Sequence, residues 1–287
     1  MIICIVGPTC SGKSKLAENL ALYYHALIVN FDAFQVYKEM NIGTAKPTLE
    51  ELATNNYYLY NIRRVNEPYD VAQYQRDCRK LIEKYYQYNI ILVGGTGLYL
   101  KAALFDYKFE KEDPMPKDYL SEKTNEELFS TLLHIDPIDA HKIGIYNRKR
   151  LLRAIFFYES HKQSKSELNK NGKDHLLYHN VAFIGLDIPR DLLYKNINTR
   201  VDLMFQNGLK EEVIELFRTY GSDERSLQAI GYKEFNNDLS DEERKELIKK
   251  NTRNYAKRQM TFFRHQFTGV KWFSSPKEAE EYAKNLK

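Results

Sequence analysis

The stretch IICIVGPTCSGKSKLAENLALYY, residues 2–24, decides the architecture. Its first five residues form an apolar run too short for a helix, and Gly7 closes it. From Lys13 to Tyr24 the pattern changes to helical spacing. Between the two, Gly7, Pro8, Thr9, Cys10, Ser11, Gly12, Lys13 and Ser14 match G-x-x-x-x-G-K-[ST], and they do so after a strand and at the opening of a helix, the context that gives the pattern its meaning. There the loop N–H groups and the positive helix end meet anionic oxygens, Lys13 adds a point charge, and Ser14 is placed to ligate Mg²⁺. These eight residues are the expected phosphate site, with Ser14 the expected metal ligand. A loop of this kind measures a diphosphate. It touches neither base nor ribose, so it does not by itself specify ATP.

Outward from that stretch, short apolar runs recur at 27–31, 90–93, 181–188 and 270–273, separated by helical patterns at 70–87, 136–161, 190–220 and 241–267. Short runs bounded by Gly, Asn and Asp and alternating with helices read as buried parallel strands of an α/β sheet. From 113 to 180 the strand signals vanish, and helix formers with Lys-rich loops take over. The expected organisation is therefore a parallel α/β core of residues 1–112 and 181–287, ending in a basic helix, with a helical domain inserted at 113–180.

With 287 residues and 43% hydrophobic composition, the chain can bury one substantial core, and its net charge of +4 is modest. The placing of charge therefore matters more than its sum. Cys4, Cys10 and Cys78 have no paired spacing, which points to a reducing compartment such as the cytoplasm and away from a disulfide frame or zinc site. Met1 leads directly into the first apolar run, with no leader pattern and no run of membrane-span length, so a mature, soluble chain is expected. Nothing in the sequence calls for more than a monomer.

A nucleotide hydrolase needs a carboxylate on a strand neighbouring the phosphate loop, to hold metal and orient water. Here the strand at 90–93 ends in Gly94, Gly95 and Thr96. The acid lies elsewhere: LIVNFDAFQVY carries Asp32 just past its strand, at the carboxyl edge where α/β sheets bind ligands. A carboxylate there suits a general base acting on an acceptor nucleophile, although holding metal or capping a helix are alternatives.

Two segments are strongly basic. KKNTRNYAKRQMTFFRHQF, residues 249–267, interleaves seven Lys, Arg and His residues with aromatic ones and contains no acid, and NRKRLLRAI, residues 147–155, adds a second basic helix face. Two such faces point to a polyanionic partner. By contrast, Glu211 and Glu212 read as a solvated helix face, and Asp136 and Asp139 as a helix start around Pro137.

Taken together, GPTCSGKS, DAFQVY, NIGTAKP (41–47), VGGTGLYL (93–100), RLLRAI, GLKEEV (208–213), AIGYKE (229–234) and TRNYAKRQMTFFR (252–264) cover almost the whole chain. In kind and order they resemble the tRNA dimethylallyltransferases, the bacterial tRNA isopentenyltransferases. The resemblance implies a P-loop NTPase-like core, an inserted helical domain that binds the anticodon arm, and transfer of a dimethylallyl group from its diphosphate to the exocyclic amine of the adenine 3′-adjacent to the anticodon. It implies Asp32 as base on that amine and Thr96 as a contact of the bridging oxygen of the leaving diphosphate. Lys13 and Arg200 would be further diphosphate contacts, with Mg²⁺ as the cofactor. The implied tRNA-facing residues are Asp32, Ala33, Phe34 and Gln35; Lys149, Arg150, Leu151, Leu152 and Arg153; and Gln228, Ala229, Ile230, Gly231, Tyr232 and Lys233. Against the family pattern, Ala33 replaces a Ser, Tyr57 and Tyr58 a His pair, Asn61 an Asp and Phe262 a Trp. The residues alone leave two other readings open, a P-loop small-molecule kinase with Asp32 as base and a non-catalytic RNA-binding protein.

Overall fold

The computed structural model describes residues 1–54, 56–107, 109, 114–168 and 175–286. Two compact units emerge, one of Met1–Leu104 with Tyr178–Lys287, the other of Phe105–Leu177. The second unit starts earlier and ends sooner than the 113–180 expected from composition. Of the expected limits, position 113 lies outside the described residues, as do 169–174 of the Lys-rich stretch.

Among the described residues the first unit carries six parallel strands: β1 (Ile2–Val6), β2 (Leu27–Asn30), β3 (Tyr57–Tyr58), β4 (Ile90–Val93), β5 (Val181–Leu186) and β6 (Lys271–Phe273), in the order β3-β2-β4-β1-β5-β6. Strand β1 lies centrally, with Ile3 opposite Ile91 of β4 and Ala182 of β5. Both sheet faces are covered, which is why β1, β2 and β4 are buried throughout. Ile3 and Ile5 point to the face packed by Leu16, Ala17 and Leu20 of α1 (Lys13–Tyr24) and by Ala279 and Ala283 near the C-terminus.

After α1 the helices run α2 (Leu49–Thr54), α3 (Val71–Lys84) and α4 (Gly97–Leu104) in the first unit. The second unit holds α5 (Asn125–Ile135), α6 (Pro137–Ile143), α7 (Arg148–His161) and α8 (Lys165–Leu168). The first unit resumes with α9 (Arg190–Gln206), α10 (Leu209–Tyr220), α11 (Asp241–Gln266) and α12 (Pro276–Ala283).

Two patterns expected as single helices are broken. The 136–161 pattern divides at Gly144, whose φ of 70 ends α6, while the Asn147 side chain accepts the Arg150 N–H to cap α7. Asp136 does cap α6, and Pro137 is its first residue. The 190–220 pattern divides at Gly208, whose φ of 93 is left-handed. In the second unit α5, α6 and α7 enclose a small core of Leu128, Leu132, Ala140, Leu151 and Ile155. Among the described residues no helix is long and apolar enough to cross a membrane.

Candidate active site

Strand β1 delivers Gly7 to the carboxyl edge of the sheet between β4 and β5. Gly7 holds φ 140, and a Cβ there would lie 2.7 Å from the Leu186 carbonyl, so only glycine fits. At the other end of the loop Gly12 caps α1 in a left-handed conformation, with no side-chain cap and no acid in the first helical turn. The positive end of α1 is thus open to an anion. Ser11 Oγ adds a buried polar atom without a hydrogen-bond partner among the described residues.

The loop borders a cavity of about 440 Å³, within the range of small-molecule sites. Thr9, Cys10, Gly12, Lys13 and Ser14 line it on one side, Asp32, Gln35 and Gly95 on the other. Lys13 is buried, and its ammonium donates to the Pro8 carbonyl at 2.6 Å. Burial, followed by the neighbouring Arg200 charge, lowers its pKa to about 8, against weaker support from Cys10 and Asp32. Arg200, from α9, donates to Thr9 Oγ1 at 3.2 Å, and Asn196 of the same helix donates to the Cys10 carbonyl at 3.1 Å.

Asp32 is placed by a turn that its neighbours define. The buried Asn30 accepts the Asp32 N–H at 2.8 Å and donates to the Asp32 and Leu59 carbonyls, both at 3.1 Å. Asp32 Oδ1 then accepts the Phe34 N–H at 2.9 Å. Burial raises the carboxyl pKa above the ordinary aspartate value, while the N–H groups of Phe34, Gln35 and Gly95 and the Lys13 charge pull the other way. The net direction is up, toward a base that holds its proton more readily.

A second cavity, of about 290 Å³, opens on the far side of Asp32. Its walls are largely apolar, with Val201, Met204, Ile230 and Ile248, and Phe34, Gln228 and Lys233 stand at it too. Thr9, Asp32, Thr44, Arg200 and Tyr255 line both cavities, so Asp32 and the anion loop share one crevice.

Two residues that set the width of this crevice escape sequence reasoning. Gln259, 4% exposed, accepts the Thr9 N–H at 2.8 Å and donates to the Gly95 carbonyl at 2.9 Å, so it ties the phosphate loop to the end of β4. Tyr255, one turn earlier on α11, donates to the same carbonyl at 3.3 Å. With Thr252 they stand at i, i+3 and i+7, one stripe of a helix, a spacing visible in TRNYAKRQ but masked there by the run of positive charge. A methyl group at Gly95 would sit 2.7 Å from Gln259 Nε2 and 2.8 Å from Asp32 Oδ2. Gly95→Ala is therefore expected to displace the base and lower turnover about 100-fold, the cost of a misplacement of roughly 1 Å. Steady-state kinetics beside a thermal melt would check this, and turnover within a fewfold of the parent would contradict it.

Thr96, half-buried just past the end of β4, accepts the Ala33 N–H on its Oγ1 at 3.0 Å and so stands beside the Asp32 turn. Two expected RNA contacts are corrected. Leu151 belongs to the core of the second unit, and Tyr232 is completely buried with its hydroxyl on Glu212, so neither offers surface to an RNA. Lys149, Arg150 and Arg153 are exposed on α7, with Leu152 partly buried. Ala33 lies on neither cavity wall, and Gln35 faces the loop-side cavity. Glu212 is no solvated carboxylate, since it accepts the Ile42 N–H at 2.9 Å. The departures at 57, 58, 61 and 262 find partners: Tyr57 donates to Glu18, Tyr58 to Tyr85, Asn61 accepts Lys46, and the Phe262 ring lies against Gly97.

Residues 35–266 match the family model described as IPP transferase. A tRNA dimethylallyltransferase of Anoxybacillus flavithermus is 39% identical over 280 residues, covering 95% of this chain and 89% of that protein. One of Bacillus cereus is 38% identical over 284 residues, covering 95% and 89%. Among solved structures, a tRNA isopentenylpyrophosphate transferase of Staphylococcus epidermidis superimposes with a TM-score of 0.71 at 32% identity, over 98% of this chain and 96% of that one. A eukaryotic dimethylallyltransferase acting on tRNA gives 0.79 at 28% identity, over 91% and 69%. A parallel sheet with a phosphate loop at its carboxyl edge, and this likeness along nearly the whole length, lead to one conclusion: the chain belongs to the IPP transferase family.

Proposed function

We propose that the protein transfers a dimethylallyl group from dimethylallyl diphosphate to the exocyclic amine of the adenine 3′-adjacent to the tRNA anticodon. The observation that carries this reading is the single crevice with two chambers: an anion cup on one side of Asp32 and an apolar-walled chamber on the other. The loop-side cavity takes the donor's diphosphate. The helix-side cavity takes the adenine, swung out of its loop because its amine cannot be reached while stacked. Anticodon-loop bases suit such capture, being splayed and readable on their edges. Support for an RNA partner also comes from the exposed Lys257 and Arg258 of α11 and from the exposed basic residues of α7.

Chemically, the adenine amine is a poor nucleophile because its lone pair is delocalised. The nitrogen forms a bond to the allylic carbon as the carbon–oxygen bond to diphosphate breaks, and the amine's proton goes to Asp32. The departing electron pair stays with diphosphate, where Lys13, the N–H groups at the start of α1 and Arg200 face the growing charge. Thr96 Oγ1 accepts the Ala33 N–H and so steadies the turn that aims the base, and its hydroxyl is the contact for the bridging oxygen of the leaving diphosphate in this reading.

Mg²⁺ fits this donor set. Ser14 faces the cavity beside Lys13, and among the described residues no three His, Cys, Asp or Glu side chains gather into a metal cage, so diphosphate oxygens and water would supply most of the shell, as Mg²⁺ favours. The cation would add positive charge at the diphosphate oxygens. A cytoplasmic monomer is the working form in this reading.

The buried ammonium has a pH consequence. Free enzyme carries Lys13 protonated below about pH 8 and loses the charge above it, whereas a bound diphosphate stabilises the charged form. Inorganic pyrophosphate is therefore expected to bind more weakly as pH rises through that value, and binding near it to take up protons. Calorimetric titration in two buffers of different ionisation enthalpy would show the uptake, and identical heats in both would contradict it. The function itself is tested by incubating unmodified tRNA with the protein, dimethylallyl diphosphate and Mg²⁺, then measuring nucleoside masses. An isopentenyl mass on adenosine is expected; unmodified adenosine, with phosphate transfer from ATP instead, would overturn the proposal.

A further inference from the structure

Segment 41–45 contributes to both chambers, with Gly43 and Thr44 at the helix-side cavity and Thr44 and Ala45 at the loop-side cavity. It is built from turns, and Ala45 holds φ 49, a left-handed conformation that is costly for a residue with a side chain. One carboxylate fastens it. Glu212, on α10, accepts the N–H of Asn41 at 3.1 Å, of Ile42 at 2.9 and 3.1 Å, and of Gly43 at 3.2 Å. Its Oε1 also accepts the Tyr232 hydroxyl at 2.6 Å.

Three successive backbone N–H groups converging on one point form an anion-binding concavity, and charge-assisted bonds of this kind are about twice as strong as neutral ones. Tyr232 comes from the segment whose Ala229, Ile230 and Gly231 line the helix-side cavity. Gln35 Nε2 continues the network, donating to the Thr44 carbonyl at 3.1 Å. A single side chain thus joins three segments around the crevice: 41–45, 229–232 and, through Thr44, the turn after β2.

We infer that Glu212 is a positioning residue for the transfer step: it fixes the wall between the chambers so that the allylic carbon meets the amine rather than water. The inference rests on the prenyl-transfer reading. Two nucleophiles compete for that carbon. In transfer, the amine nitrogen bonds to it as diphosphate leaves, and Asp32 takes the proton. In hydrolysis, a water oxygen bonds to it instead, giving dimethylallyl alcohol and diphosphate with one proton released. A loosened wall changes the ratio of these products, whereas a loss of folded protein lowers both together.

The test uses the full chain and its Glu212→Ala, Glu212→Gln and Tyr232→Phe variants with isotopically labelled dimethylallyl diphosphate and unmodified tRNA. Prenylated adenosine and dimethylallyl alcohol are both quantified. Glu212→Ala is expected to slow transfer about 10- to 100-fold and to raise the alcohol-to-adenosine ratio about tenfold. Pyrophosphate affinity should change by less than this ratio, because Glu212 bonds the N–H groups of 41–43 and not those of the phosphate loop, although Thr44 and Ala45 border the loop-side cavity. Tyr232→Phe removes one of the bonds to the carboxylate and should move the ratio the same way by less. Glu212→Gln should fall between them, since one oxygen still accepts. If Glu212→Ala fails to fold, the other two variants decide on the same ratio. An unchanged ratio in folded variants overturns the inference and leaves the prenyl-transfer reading standing, whereas a parent protein that makes neither product overturns both.

Discussion

Replacing Asp32 by asparagine is expected to lower the rate of prenyl transfer about 100- to 10,000-fold while tRNA affinity changes little. Asparagine keeps the size of the side chain and part of its hydrogen bonding. Its Oδ1 can still accept the Phe34 N–H that Asp32 accepts at 2.9 Å, and the Asn30 bonds to the main chain of residue 32 are untouched. What disappears is the capacity to take a proton, together with one oxygen that accepts from the main chain of Gln35 and Gly95. Because burial raises the Asp32 pKa, the base form of the parent is lost as pH falls through a value above the ordinary aspartate range. The acid limb of the parent's pH–rate profile should therefore lie above that range, and the variant should show no such limb. A variant with more than about a tenth of parental turnover would reduce Asp32 to a structural role.

Lys13→Ala is expected to cost about 100- to 1,000-fold in turnover and to weaken inhibition by pyrophosphate, again with tRNA binding retained. In the parent the ammonium lies buried between the Pro8 carbonyl and the cavity, with Arg200 close enough to lower its pKa. Two cations held together in a desolvated site are unfavourable until an anion arrives, so the site is arranged for the charge that develops on the leaving group. Lys13→Arg should not rescue fully, because a larger planar guanidinium spreads its charge and does not reproduce the compact ammonium that donates to the Pro8 carbonyl at 2.6 Å. Initial-rate kinetics with pyrophosphate as inhibitor would check both variants. Full activity in Lys13→Ala would remove the loop from the reaction.

The legible part of the fold was the part whose local pattern and tertiary role agree. The limits of β1, α1 and β4 follow from apolar runs and a glycine-flanked loop, and the structure returns the same residues. Helix α4 was not legible, because all but Leu98 of its eight residues are buried and a helix apolar on nearly every side has no stripe to detect. Strand β3 is two residues long and exists only through pairing with β2, which no local signal announces. The joined helices at 136–161 and 190–220 show the opposite failure: Gly144 and Gly208 break a periodicity that continues on either side.

At the site, residues with distinctive chemistry, Lys13, Asp32 and Arg200, are brought to one crevice. Gln259, Tyr255 and Glu212 carry no such mark, since their importance lies in backbone groups from distant segments that only the fold brings to them. Thr96, a motif residue, stands half-buried beside the Asp32 turn, where its Oγ1 accepts the Ala33 N–H.

The central claim is tested most directly by solving the protein with an unreactive thiolodiphosphate analogue of the donor, Mg²⁺ and an anticodon stem-loop. The account predicts the diphosphate against the loop from Gly7 to Ser14 and the adenine amine within about 3 Å of the Asp32 carboxylate, with the five-carbon tail between them. A diphosphate bound away from that loop, or an adenine reached from the other side of the Asp32 turn, would contradict it.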